Sequence, residues 1–132
     1  VVIDEADRAL YHAALAHAAN PLVTIAAQSS ELLHGIGVEQ PERLLGPLMR
    51  ASLENALASG EHALTGPVAR GDTGTVEAHT RALHRNAAPD LAAAYQALSA
   101  ATARRAVARG LLSPAQGERI IEVLNSEPEG PR

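Results

Sequence analysis

The sequence predicts an all-α protein, a bundle of about six helices. Apolar residues make up 46% of the 132 residues, which is enough to form a buried core. The apolar set contains no Phe, no Trp and only two Tyr, and nearly half of it is alanine. Alanine-rich cores suit closely packed helices and suit a β-sandwich poorly. No long segment alternates apolar and polar residues with the period of two that marks a half-buried strand.

Proline, glycine and acidic residues set the expected helix boundaries in the first half of the chain. A first helix is expected over residues 4–20, where early acids complement the helix dipole. Pro21 either kinks one long helix or begins a second one, which covers residues 22–34 and is stopped by glycines. A third helix is expected over residues 41–59, because Pro41 suits a first turn and Gly60 suits the position past the end.

Capping residues set the boundaries in the second half. Asp72 is a good N-cap for a helix over residues 73–86. The helix over residues 89–109 is expected to be the longest uninterrupted one, and the Ser113-Pro114 pair starts the last helix. Helical spacing then defines the apolar stripes. In the first half of the chain the stripe residues are Leu10, Ala13, Ala14 and His17 on the first helix, and Leu22, Ile25, Ala26, Leu32 and Leu33 on the second. On the third helix, the residues expected to point inward are Leu44, Leu48, Leu53, Ala56 and Leu57. In the second half the stripe residues are Val76, Thr80 and Leu83 on the fourth helix, Leu91, Tyr95, Leu98, Thr102 and Ala106 on the fifth, and Ile120, Val123 and Leu124 on the last.

The domain organisation predicted from the sequence is one helical domain over residues 1–124, followed by a frayed tail over residues 125–132. The first residue is not Met, and the opening Val1-Val2-Ile3 is typical of the end of a buried strand or of a linker leaving one. The sequence therefore favours a fragment of a longer protein, cut at a domain boundary.

Composition excludes several kinds of chemistry. All eleven basic residues are arginine, so a lysine base, Schiff base or Walker lysine cannot exist in this chain. Cysteine is absent, which removes disulfides, thiolate nucleophiles and cysteine-ligated metals, and a reducing cytoplasm fits best. The net charge of −4 argues against a nucleic-acid partner. No apolar run reaches the ~18 residues of a membrane span, and no signal peptide is visible.

The stretch of residues 64–72 is the strongest candidate for a binding site. It contains a hydroxyl at Thr65, glycine at Gly66, a proline suited to a short helix, and Arg70, which can hold a carboxylate or phosphate bidentately. The alternative is a tight connection between helices, in which Asp72 only caps and Arg70 pairs with an internal carboxylate.

Three other side chains are candidates for substrate contact. His12 is the candidate acid or base at neutral pH, and Asn20 lies within a quarter turn of it on a helix. Asn55 interrupts an apolar stretch, so it is either a tie between helices or a ligand contact. The histidine spacings suit no metal site, because the close pairs are five residues apart. The alternative for His12 is structural: a partly buried imidazole that forms a hydrogen bond with a carbonyl of a neighbouring helix.

These residues together form a pattern. It consists of Tyr11-His12, Asn20, Leu53-x-Asn55, Leu64-Thr65-Gly66-Pro67-x-x-Arg70-Gly71-Asp72, His79 and Pro89…Tyr95…Leu98. Over about residues 10–98 the chain resembles a helical C-terminal domain of unknown function that follows a Rossmann-like domain in bacterial oxidoreductase-like proteins. That group is similar to pyrroline-5-carboxylate reductase, ketopantoate reductase and the 6-phosphogluconate and hydroxyisobutyrate dehydrogenases.

The resemblance implies a fold like the C-terminal domain of 6-phosphogluconate dehydrogenase. It implies a missing Rossmann-like half that binds NAD(P), while this fragment has no cofactor site and is inactive alone. This half would form the homodimer interface and close over a small keto or imino acid, with the cleft near His12, Asn20, Asn55 and residues 65–70. Related dehydrogenases place a lysine on the first helix; this chain has none, and His12 is the nearest replacement. The alternative is a non-catalytic helical dimerisation or interaction module.

Overall fold

The computed structural model describes residues 1–127, and within these the protein is helical with no strand. Helices α1 to α6 span Arg8–Gly35, Pro41–Ser59, Gly66–Ala69, Thr73–Asn86, Pro89–Ala108 and Pro114–Asn125, and short 3-10 segments cover Glu5–Asp7 and Gly60–Ala63. The predicted all-α class is confirmed. The six predicted helices become five long helices and the single-turn α3 in the described part of the chain. Of the predicted tail, Asn125 ends α6, and residues 128–132 lie outside the described residues.

Pro21 lies inside one continuous helix. Because α1 runs without interruption for 28 residues, the break into two helices does not occur, and α1 rather than α5 is the longest helix. Proline lacks an N–H, so the carbonyl of His17 loses its usual partner four residues on. Residues 1–3 have no regular structure, and Val1 and Val2 are fully exposed, so of the two alternatives for this segment the buried strand is not formed and the linker stays a prediction.

The chain divides into two compact units, Val1–Leu48 and Met49–Arg132. The buried core of the second unit is formed by α4, α5 and α6. Its central residues are Val76, Ala100, Ala103, Ile120 and Leu124, with Val68, Tyr95, Ile121 and Val123 packed against them. The stripe predicted for α6 is confirmed by these residues, and in the stripe predicted for α4 Val76 and Thr80 are buried while Leu83 is half-buried. On α5, Leu91 and Ala106 are buried as predicted, whereas Leu98 is exposed and the small side chains of Ser99 and Ala103 face the core.

The stripes predicted for the first three helices are exposed or only half-buried. Helix α1 contains no buried residue, and α2 buries only Pro41. The α2 residues expected to point inward, Leu44, Leu48, Leu53, Ala56 and Leu57, are all exposed. Periodicity identifies the residues that share a helix face, but it does not show whether another element of the same chain covers that face. The inward orientation predicted for α2 is therefore wrong for the single chain.

Helices α5 and α6 approach closely at a glycine. A Cβ atom added to Gly117 would lie 2.5 Å from Val107 Cγ2. Valine on a helix has one strongly preferred rotamer, so it cannot swing aside without cost. The pairing of these two helices therefore requires a residue without a side chain at position 117.

Gly117→Ala is expected to lower the free energy of unfolding by about 1–2 kcal/mol, because overpacking outweighs the better helix propensity of alanine. Gly74→Ala on α4 is the matched control. Its Cβ would meet nothing closer than 3.8 Å, so this substitution should raise stability by about 0.5–1 kcal/mol. Urea denaturation of the two variants measures both effects. If the two substitutions changed the free energy of unfolding by the same amount and in the same direction, the α5–α6 contact would not be tight.

Candidate functional site

The segment between α2 and α4 forms a defined turn around α3. Thr65 precedes α3 in extended conformation, and Gly66 has φ +92°, which disfavours any residue with a side chain. Pro67 occupies the first turn, as predicted. The N–H of Arg70 donates to the Gly66 carbonyl at 3.1 Å, and the N–H of Asp72 donates to the Pro67 carbonyl at 2.9 Å. The structure thus brings Thr65, Gly66 and Arg70 together in one hydrogen-bonded turn.

The two charged residues of this turn have different roles. The Asp72 carboxylate accepts hydrogen bonds from the Thr75 backbone N–H at 3.1 Å and from the Thr75 hydroxyl at 2.7 Å, so the predicted N-cap is confirmed. These bonds from Thr75, followed by the charges of Arg70 and His79, hold the pKa of Asp72 below its usual value. Because Thr75 occupies both carboxylate oxygens, Asp72 acts as a helix cap.

Arg70 is exposed and has no ion-pair partner among residues 1–127. The described residues therefore do not form the alternative arrangement, in which Arg70 pairs with an internal carboxylate. An unpaired guanidinium offers up to five N–H donors in a planar fork that matches a carboxylate or phosphate. The turn accordingly presents an anion-binding group to solvent.

His12 and Asn20 lie on α1, and both are exposed. Because α1 is continuous, eight residues separate them by about 12 Å along the helix axis. The imidazole of His12 lies beside the Tyr11 ring, with the ring centroids 5.7 Å apart and the planes tilted by 53°. An open groove of about 360 Å³ lies next to the Tyr11 ring, and His12 is not among its lining residues. It is lined by Val2, Ile3, Asp4, Asp7, Leu10, Tyr11 and Ala14.

Asn55 is exposed on α2. Because its amide is exposed to water, the described residues do not form the alternative in which Asn55 ties two helices together, and the ligand contact stays a prediction. The candidate residues are divided between the units: His12 and Asn20 belong to the first, and Asn55 and the turn with Arg70 belong to the second. A common cleft for all of them stays a prediction.

Sequence reasoning missed one cluster near the turn. The Glu61 carboxylate accepts a hydrogen bond from Arg105 Nη1 at 2.5 Å, and its other oxygen accepts one from Arg109 Nε. The Arg109 bond and then the Arg105 bond hold the pKa of Glu61 below its usual value. The partners lie 44 and 48 residues from Glu61, so no local pattern in the sequence indicates the cluster.

Some kinds of site are absent from the described residues. Residues 1–127 contain no group of three His, Asp or Glu side chains placed to hold a metal ion. They also contain no strand, and hence no strand–glycine turn–helix unit of the kind that binds a dinucleotide pyrophosphate. No helix among them combines the length and apolar character needed to cross a bilayer.

Comparison with known proteins identifies a family of domains. Residues 1–102 match the family model described as "Domain of unknown function (DUF2520)". No curated protein and no solved structure matches the chain. The matched segment contains the turn with Arg70 and all of the candidate site residues, and it ends within α5. The chain therefore belongs to the DUF2520 family of domains of unknown function.

Proposed function

We propose that this chain is the substrate-binding and dimerisation half of an NAD(P)-dependent oxidoreductase that acts on a small keto or imino acid. The observation that carries the proposal is Arg70 on the hydrogen-bonded turn of α3, exposed and without an ion-pair partner among residues 1–127. The same turn is the most specific part of the resemblance to domains that follow a Rossmann-like half. In the same proposal the fold is like that of the C-terminal domain of 6-phosphogluconate dehydrogenase, and the protein is bacterial and cytoplasmic.

Substrate recognition in this proposal centres on Arg70. Its guanidinium binds the substrate carboxylate bidentately, and the Thr65 hydroxyl supplies a neutral hydrogen bond at the other end of the turn. Gly66 keeps the backbone free of a side chain where the substrate approaches. His12 is the proton donor, while Asn20 and Asn55 orient the substrate through their amides.

The described residues do not fit a nicotinamide cofactor, since they lack the strand and glycine-rich turn that hold a dinucleotide. In this proposal the cofactor is bound by another domain of the parent protein. In this proposal the contributions of this chain are substrate binding, proton donation and assembly.

The homodimer in this proposal is supported by α1. Residues 9–30 contain no Asp, Glu, Arg or Lys, although charged residues are 20% of the chain. The large apolar side chains Leu10, Leu15 and Val23 are 72%, 53% and 73% exposed on this helix. A helix of 28 residues is about 42 Å long, and a helix with apolar residues on all sides is normally buried. A second copy of the chain covers α1 in this proposal.

The same exposed helix favours a second candidate function. A chain whose first 48 residues are mostly exposed helix and contain no buried residue before Pro41 is also suited to assembly alone. In this case the protein is a non-catalytic dimerisation module, and Arg70 is a solvated surface residue. The two candidates differ in whether the parent binds a cofactor and a keto acid.

The deciding experiment is a fluorescence titration of the full-length parent with NADPH and NADH, in the presence of small keto and imino acids. Arg70→Ala is expected to weaken binding of the acid by about 10–100-fold, because a hydrogen bond to a charged group contributes about 1.5–3 kcal/mol. Cofactor affinity should stay unchanged. The matched control is Arg85→Ala in the last turn of α4, which should leave acid binding unaltered. Absence of any cofactor binding would favour the assembly module instead.

A further inference from the structure

The segment that leads into the Arg70 turn is attached to α5 through a single carboxylate. Glu61 lies in the 3-10 segment Gly60–Ala63, directly after α2 and four residues before Thr65. Both of its oxygens are used, one by Arg105 and the other by Arg109, which lie one helical turn apart at the C-terminal end of α5. The Glu61 side chain is only 25% exposed, although both arginines are more than half exposed. We call these three residues the Glu61 clamp.

The turn is held at a second point on its other side. Ala69 is 5% exposed, and Val68 packs against the core cluster of α4, α5 and α6. Between these two attachments the backbone passes through the extended Thr65 and then through Gly66 at φ +92°. Glycine allows many backbone conformations, so this position fixes the path of the chain only if both flanks are held.

The backbone hydrogen bond on the Glu61 side is local. The N–H of Leu64 donates to the Glu61 carbonyl at 3.1 Å, which shapes the 3-10 segment but does not attach it to α5. A carboxylate that accepts hydrogen bonds from two guanidinium groups is attracted by their charge and is also held in a defined orientation. A single exposed ion pair contributes little to stability, whereas a network of three charged groups around one half-buried carboxylate contributes more.

We propose that Glu61 is a positioning residue, which acts through Arg105 and Arg109 to fix residues 65–70 and so to aim Arg70 at its anionic ligand. This inference rests on the proposed function for the identity of the ligand, a small carboxylate, and on the geometry alone for the ordering of the turn. Removal of the clamp leaves the core of α4, α5 and α6 intact and frees the turn on its α2 side. Arg70 then spends less time in its binding orientation, and the affinity for the ligand falls.

The test compares Glu61→Gln with the unmodified 132-residue chain by amide hydrogen exchange. Exchange of the backbone amides of residues 65–70 other than Pro67, which has no N–H, should accelerate by about tenfold, while the amides of α5 and α6 keep their protection. Glu77→Gln is the matched control, because it breaks the Glu77–Arg81 ion pair on α4, which does not attach the turn. An unchanged exchange rate at residues 65–70, or acceleration throughout the chain, would overturn the proposal.

A double-mutant cycle separates positioning from a general loss of stability. If Glu61 acts through its arginines, Glu61→Gln should have no further effect on exchange at residues 65–70 once Arg105 and Arg109 are both replaced by alanine. Additive effects would contradict the clamp.

A second readout connects the clamp to the ligand. Pyruvate binding, followed by NMR shifts of residues 65–70, should weaken severalfold in Glu61→Gln although Arg70 is intact. Equal affinity in the two proteins would overturn the positioning role. If pyruvate does not bind the unmodified chain, the proposed substrate class fails, and the exchange experiment still decides whether the clamp orders the turn.

Discussion

Ile120→Ala is expected to lower the free energy of unfolding by about 2–5 kcal/mol. Ile120 is completely buried, and it belongs to the core cluster in which α4, α5 and α6 meet. Alanine removes three carbon atoms and leaves a cavity among neighbours that are themselves small, such as Ala100 and Ala103. Small neighbours cannot extend into the space, so the cavity should persist and the cost should lie in the upper part of this range.

The same substitution at an exposed position provides the control. Ile36, just after α1, is 79% exposed, so Ile36→Ala should change stability by no more than about 0.5 kcal/mol. Urea denaturation, followed by near-ultraviolet circular dichroism, measures both variants, since Tyr95 packs against the core of the second unit and its signal reports on that unit. Similar effects of the two substitutions would mean that α4, α5 and α6 do not form the stabilising core.

Leu15→Arg is expected to abolish the proposed homodimer, raising its dissociation constant by at least about 100-fold. Leu15 is 53% exposed in the middle of the uncharged stretch of α1. A buried interface would place an unpaired guanidinium against apolar side chains of the second copy, and the loss of hydration of a buried charge costs several kcal/mol. The helix itself should persist, because arginine is a good helix former.

Leu111→Arg is the matched control for this prediction. Leu111 is 52% exposed, nearly the same as Leu15, but it lies in the short connection between α5 and α6. Sedimentation velocity over a concentration series should show a dimer for the unmodified chain and for Leu111→Arg, and a 13.7 kDa species for Leu15→Arg. A monomer at all concentrations for the unmodified chain would rule out the homodimer.

The proposed anion site was predictable to the extent that it is local. The turn of residues 65–70, the first-turn Pro67 and the cap at Asp72 all follow from residues within a few positions of one another. The sequence leaves the role of Asn55 open between a helix tie and a ligand contact, because its exposure depends on what covers α2. The Glu61 clamp was missed for the same reason, since its partners are more than forty residues away.

The sequence by itself determined where most helices begin and end. The bounds of α2 and α4 agree with prediction to the residue, because proline, glycine and capping side chains act on the backbone within one or two turns. The sequence does not decide whether the first helix continues through Pro21, because one missing hydrogen bond can be tolerated or can end a helix, depending on the rest of the helix.

Only the tertiary structure decided which apolar faces are covered. The stripes of α4 and α6 become core, whereas equally apolar residues on α1 and α2 stay exposed in the single chain. Helical periodicity is a property of one segment, but burial requires a second surface of matching shape. It was the packing of α4, α5 and α6 that selected the core residues, and long-range ion pairs that attached the Arg70 turn to α5.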